Sequence, residues 1–95
     1  MLYDVNMLKK RELEQIIRGF SNHRRIQMLD LIDSVPELSV DEISKKLNVH
    51  FKTTSSHLRR LIMAGLIMKR SQGKDIRHKI SNRGKVVLTF LRTLE

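Results

Sequence analysis

Apolar residues recur at helical spacing in four successive stretches of this chain, after which the spacing shortens to that of a strand. Val5, Leu8, Leu13, Ile16 and Ile17 mark a first helix over residues 4–18, with Asp4 placed to cap it and Lys9, Lys10, Arg11, Glu12 and Glu14 between them. Gly19 ends that helix and Phe20 turns toward the core. Ser21 or Asn22 caps a second helix over 23–34, in which Ile26, Met28, Leu29, Leu31 and Ile32 are the core positions. Val35-Pro36-Glu37 closes it, because proline cannot donate to the hydrogen-bond ladder and biases its predecessor away from helix. Val40, Ile43 and Leu47 then share one face of a short third helix, and Ser39 with Glu42 has capping-box spacing. Asn48-Val49-His50 interrupts the period, with Val49 placed to plug the angle between two helices. The period restarts with Phe51, Thr54, Leu58, Leu61 and Ile62, predicting a fourth helix over 51–64 with Gly65 as its left-handed stop.

Beyond Gly65 the pattern has period two. Residues 66–71 and 76–80 read as strands of a hairpin joined through Gln72-Gly73-Lys74-Asp75, where Gly73 allows positive φ. Leu66, Met68, Ile76, His78 and Ile80 are assigned to the inward face, Lys69, Arg77 and Lys79 to the outward one, and His78 to a surface or half-buried place. Ser81 or Asn82 caps a last helix whose apolar face is Val86, Val87, Phe90, Leu91 and Leu94. The fold class is mainly α with a small β-hairpin, in the order of a winged helix-turn-helix, and residues 1–95 form one domain without repeats or linkers. Leu2, Tyr3 and Met7 exceed what a single stripe needs; they are either a dimer surface or a frayed apolar start.

Charge sharpens this picture. The net charge is +9, yet residues 1–50 carry eight basic and eight acidic side chains, so the whole excess lies in residues 51–95. That excess coincides with the fourth helix, the hairpin and the last helix, which points to a polyanionic partner. The residues of the fourth helix outside its apolar stripe are Lys52, Thr53, Ser55, Ser56, Arg59 and Arg60, all hydrogen-bond donors. A helix that is apolar on one side and donor-lined on the other suits the major groove of DNA. Threonine and serine cost helix stability relative to alanine, and close approach to DNA accounts for their presence. Arginine offers a planar fork of donors for guanine or phosphate, and Arg60 is the weaker candidate because it lies nearer the apolar side.

Other chemistries find little support. The chain has no cysteine, which excludes disulfides, thiolate metal sites and cysteine catalysis. His57 adjoins Ser56, but neighbouring helical residues point about 100° apart and no carboxylate is placed to orient the pair, so no enzyme is expected. His23, His50 and His78 lack metal-ligand spacing, and neither a metal nor a cofactor is expected. The longest apolar run, residues 61–68, is well below the roughly 18 residues of a membrane span, and a cytoplasmic location is the default expectation.

Particular motifs carry a resemblance. Asn22-His23-Arg24-Arg25-Ile26-Gln27-Met28-Leu29, then Leu38-Ser39-Val40-Asp41-Glu42-Ile43 with Leu47, then Thr53, Ser55, His57-Leu58, Leu61 and Ala64-Gly65-Leu66-Ile67, resemble in sequence the small ArsR-type winged helix-turn-helix repressors of bacteria and archaea. Arg70, Gly73, Lys74 and Ile80 fall where that family has its basic wing, and the likeness covers roughly residues 16–91. The resemblance implies a homodimeric DNA-binding transcriptional regulator, its dimer built from residues 2–20 and 82–94. It implies that Lys52, Thr53, Ser55, Ser56 and His57 lie in or beside the major groove, with Arg70, Lys74 and Arg77 of the wing reaching phosphate or the minor groove. His50 and Arg59 complete the candidate DNA-binding set. The chain departs from the metal-sensing relatives: Val40 and Glu42 stand near their cysteine pair, and residues 81–94 hold no Asp, Glu or His. Classical metal sensing is therefore not expected, and any effector is unidentified. The alternatives are a protein-interaction module, which calls for an apolar recognition helix, and a non-specific architectural nucleic-acid binder. RNA binding would favour exposed aromatics, of which the chain has few.

Overall fold

The computed structural model describes the backbone of residues 2–95 and the side chains of residues 9–95. Seven elements follow in chain order: α1 (Leu2–Phe20), α2 (His23–Ser34), α3 (Val40–Leu47), α4 (Phe51–Met63), β1 (Ile67–Gln72), β2 (Asp75–Ile80) and α5 (Asn82–Thr93). This is the winged helix-turn-helix order. α1 starts before Asp4, which is therefore not its cap, and continues through Gly19 to Phe20. The surplus apolar positions Leu2, Tyr3 and Met7 lie outside the described side chains.

The helix starts are fixed by short side chains. Asn22 Oδ1 accepts the Arg24 and Arg25 N–H groups at the head of α2, and Ser81 Oγ accepts the Gly84 N–H at the head of α5. At α3 the capping box is complete: Glu42 N–H donates to Ser39 Oγ at 3.2 Å, and Ser39 N–H donates to Glu42 Oε1 at 3.0 Å. Asn48 enters the left-handed region at φ 53°, which turns the chain toward α4. Val49 packs in that turn against the core, as its place between the helices predicts.

The core brings together Met28, Leu29 and Ile32 of α2, Ile43 of α3, Leu58 and Leu61 of α4, and Val87 and Leu88 of α5. Phe20 closes one side, while Leu38, Leu66, Ile67 and Ile80 join from the connections and the hairpin. Among the described residues, α1 meets this body near its C-terminal end, through Ile16, Gly19 and Phe20; Leu13 and Ile17 are half exposed rather than core. α5 likewise divides its apolar residues, with Val87 and Leu88 buried but Val86 and Phe90 exposed, as is Leu94 at its C-cap. Phe51, expected on the core stripe of α4, is also exposed.

The hairpin departs from its expected phase. Ile67 pairs with Ile80, Lys69 with His78 and Ser71 with Ile76, so these side chains share one face, and Met68 falls on the opposite, outer face. Lys69 thus lies on the face of His78 although its own side chain is exposed. The cause is Leu66: its N–H donates to Leu61 O and the Gly65 N–H to Ile62 O, the two bonds of a Schellman ending to α4. Leu66 is buried as the last residue of that helix stop, and the strand alternation begins one residue later with Ile67. The loop is also shorter than expected, because Gln72 pairs with Asp75 and only Gly73 and Lys74 turn. Gly73 has φ 62° and Lys74 is not in the positive region, the pattern of a type II′ turn.

His78 corrects a second expectation. It is 3% exposed, and its Nδ1 lies 2.8 Å from Leu38 O, which also accepts the His78 backbone N–H at 3.0 Å. The Glu37 N–H donates to His78 O at 2.9 Å, so Leu38 forms an isolated antiparallel bridge with β2. The imidazole is thus a tie between the hairpin and the segment leading into α3.

Candidate nucleic-acid interface

α4 turns Thr54, Leu58 and Leu61 inward, and this fixes which of its side chains point away from the body. Lys52, Thr53, Ser56 and Arg59 are exposed, and Ser55 is half-buried at the flank. His50 is the N-cap of the helix: its Nδ1 accepts the Lys52 backbone N–H at 3.2 Å, and the residue is exposed. Thr54, outside the candidate set, spends its hydroxyl on the backbone, donating to His50 O at 3.1 Å. Between its two exposed apolar ends, Phe51 and Met63, the outward row of α4 therefore consists of donors and cations, as its sequence pattern predicts.

His57 is placed differently from the others. It is half-buried on the side facing α2, where Arg25 Nη1 donates to its Nδ1 at 3.2 Å. Arginine has no acceptor, so this bond selects the neutral imidazole with its proton on Nε2. Burial lowers the His57 pKa, and the nearby Arg25 and Arg60 charges lower it further. Arg25 is itself buried and donates through Nε to Gly19 O at 2.8 Å and through Nη2 to Arg18 O at 3.2 Å. A cation thus sits on the C-terminal carbonyls of α1, the negative end of that helix, and reaches α4 as well.

The wing cations are unequal. Lys74, at the tip, is exposed and has no acidic partner among the described residues. Arg70 Nη2 pairs with Glu37 Oε2 while remaining largely exposed. Arg77 is more enclosed, its Nη1 donating to Glu42 Oε1 at 2.6 Å and to Glu37 O at 3.2 Å, and its Nη2 to Asp75 Oδ2 at 3.1 Å. The sequence has it face outward toward phosphate, and the acceptors around it give it a further role as a strut between wing and α3. The Glu42 carboxyl is held below the ordinary carboxylate range, first by the Ser39 backbone N–H and the Ser39 hydroxyl, then by Arg77.

Two groups of residues emerge only from the structure. Arg25 lies on the buried stripe of α2 with Met28, Leu29 and Ile32, and a charged residue at such a position must find partners inside the fold. That position was the available signal. Glu37 and Glu42 hold the two wing arginines across more than 30 residues, and nothing local in the sequence pairs them. An open groove of about 800 Å³ runs between α1 and α4, lined in part by Arg18, Ser56, Arg59, Arg60 and Arg83, and extends the basic surface away from the helix.

Solved structures share this architecture. NolR of Sinorhizobium fredii is 19% identical, with a TM-score of 0.85 over 94% of this chain and 89% of its own. The homodimeric winged helix-turn-helix DNA-binding domain of a possible ArsR-family transcriptional regulator from Mycobacterium bovis is 20% identical, with a TM-score of 0.84 over 93% and 82%. Reduced HlyU of Vibrio cholerae is 26% identical, with a TM-score of 0.79 over 93% of both chains. No curated protein matches the chain. The sequence model of the MarR family matches residues 22–79, more than half of the chain and all of the segment from the head of α2 to the wing. The motifs resemble the ArsR type, but the family that this match shows is MarR: the chain belongs to the MarR family.

Proposed function

We propose that this MarR-family protein is a homodimeric transcriptional repressor that reads a palindromic DNA operator through α4 and the wing. The observation that carries the reading is the division of α4: Thr54, Leu58 and Leu61 are given to the core, while Lys52, Thr53, Ser56 and Arg59 are presented outward beside a basic hairpin. Lys52, Arg59, Arg70 and Lys74 displace counterions from phosphate, which supplies affinity and a steep salt dependence. Thr53, Ser55, Ser56 and Arg59 select the base edges, and His50 holds the first turn of the helix in place. His57 contributes a single donor at Nε2, its other nitrogen being occupied by Arg25. Arg77 acts by holding the wing.

The dimer is supported by apolar side chains left outside the core. Leu13 and Ile17 on α1, and Val86 and Phe90 on α5 with Leu94 at its C-cap, form stripes that a second copy would cover, within the segments 2–20 and 82–94. Two symmetric recognition helices predict half-site centres about 34 to 36 Å apart, or a multiple of that spacing. The ArsR-type motifs support the small-repressor reading, and the M. bovis neighbour carries the same family suggestion together with a homodimeric state. The donor sets of the metal-sensing ArsR relatives are absent from the matching positions, so the regulator acts without that chemistry. Neither the family nor its structural neighbours point to an enzyme. No described helix is long and apolar enough to cross a membrane, and a regulator of this kind acts in the cytoplasm.

The test is retention of a randomised duplex pool on the purified protein, sequenced at near-physiological and at raised salt. An enriched inverted repeat supports the reading. Salt-sensitive retention without sequence preference turns it to an architectural role, and no retention turns it to protein interaction.

A further inference from the structure

Phe51 is the first residue of α4, and 51% of its surface is exposed. It belongs neither to the buried core nor to the partly buried apolar residues packed against it. Its neighbours His50 and Lys52 are both exposed and polar, so the ring stands alone among donors at the start of the helix. A phenyl group at this place is not explained by packing, and helix propensity does not favour it.

In helix-turn-helix recognition the N-terminal residues of the second helix meet base edges. Those edges are hydrogen-bonding groups with one exception, the C5-methyl group of thymine, and an apolar side chain is its complement. We propose that Phe51 is a specificity-determining residue that reads a thymine methyl group in each half-site. The proposal rests on the DNA-binding reading above and adds to it a base identity. Ser55, one turn further along and half-buried, and the exposed Lys52 flank the ring with donors for the neighbouring base or phosphate.

Uracil substitution isolates the contact, because it removes only the methyl and leaves base pairing and every hydrogen-bonding group in place. An operator recovered from the randomised pool is synthesised with each thymine replaced in turn by uracil, and Kd is measured for the wild type, Phe51→Ala and Phe51→Leu. One thymine per half-site should show a loss of about fourfold for the wild type, the worth of one buried methyl group. The loss should vanish in Phe51→Ala and persist in part in Phe51→Leu, whose side chain is still apolar. Wild-type binding that is indifferent to every uracil overturns the proposal while leaving DNA recognition standing. A uracil effect of equal size in Phe51→Ala also overturns it, since another residue then reads the methyl. Failure of the wild type to retain any duplex removes the DNA-binding reading and this proposal with it. Because about half of the residue's surface is exposed and it lies outside the core, both variants should keep the wild-type circular dichroism spectrum, with at most a small fall in Tm.

Discussion

Arg25 and His57, 32 residues apart, are joined by a hydrogen bond of 3.2 Å in which the guanidinium donates to Nδ1 of the imidazole. The same guanidinium holds two carbonyls at the end of α1, so one side chain links α1, α2 and α4. Protonating His57 removes the acceptor and places two cations together.

This link makes stability depend on pH in a defined sense. Burial and Arg25 lower the His57 pKa below its ordinary 6.5 in the folded protein, so the unfolded chain binds the proton more readily. The stabilisation is complete above pH 6.5 and is lost as the pH falls through the lower, folded value. Urea unfolding followed from about pH 8 to about pH 5 should show a falling midpoint, and the fall should be shallower in His57→Gln, which keeps an acceptor but does not titrate. Parallel curves for the two proteins would exclude the link.

Gly19 and Gly84 reverse the usual preference for alanine in helices. A Cβ on Gly19 would lie 2.3 Å from Ala64 Cβ, and one on Gly84 would lie 2.2 Å from Leu66 O. Alanine gains roughly 1 kcal/mol in helix propensity, but overpacking costs about 1–3 kcal/mol and the obstacle at Gly84 is backbone. Both substitutions should lower Tm, Gly84→Ala more than Gly19→Ala; a rise in either would show that the helices separate freely.

The apolar stripe of α5 predicts an oligomeric state. Val86→Glu with Phe90→Glu should turn a dimer into a monomer in sedimentation equilibrium and abolish preference for a two-half-site operator over a single half-site. Both side chains are exposed in the monomer, so its secondary structure should survive. A variant that stays dimeric would move the interface elsewhere.

Base readers and phosphate contacts separate by experiment. Lys74→Ala should weaken all duplexes alike and reduce the slope of log K against log salt by about 1. Ser55→Ala and Arg59→Ala should instead reduce the preference for operator over random sequence, by about 1–3 kcal/mol for Arg59 if it engages guanine with both donors. Equal losses on every sequence for all three would remove Ser55 and Arg59 from base recognition.

Arg77 tests the wing as a mechanical part. With three acceptors and only 26% of its side chain exposed, it should contribute about 1–2 kcal/mol to holding the hairpin on α3. Arg77→Ala should raise amide exchange over residues 67–80 while leaving α2 and α4 protected, and Lys79→Ala should not. Unchanged exchange in Arg77→Ala would mean that the His78 tie alone fixes the wing.

The order of elements was legible because local signals are strong here. Ser39 with Glu42 and Gly65 after α4 each act through atoms within a few residues and appear where the sequence places them, and of the two candidate caps before α2, Ser21 and Asn22, it is Asn22 that caps. The outward row of α4 followed from its period. What local pattern could not show was the fate of apolar residues at element ends. Phe51, Val86 and Phe90 have core-like spacing, but the body they would join stops short of them. The phase of β1 was missed because Leu66 satisfies both patterns, as the last residue of a helix stop and as the first of an apparent alternation. Arg77 and His78 found partners around Glu37, Leu38 and Glu42, some 35 to 40 residues earlier, and such pairings depend on how the finished elements dock.

Gly73 has no atom of the described residues within 4 Å of where a Cβ would stand, so the turn of the wing has open space at that position. The hairpin is therefore a cantilever, clamped by Leu38 and His78 at its root and by the Arg70 and Arg77 pairs further along, with open space at its turn. Its length can change without disturbing the clamp if two residues are added to each strand, which keeps every side chain on its face and advances Lys74 by about 7 Å. The reach of the wing along a groove is thus an independently adjustable dimension of this protein, set by a turn that the core does not constrain.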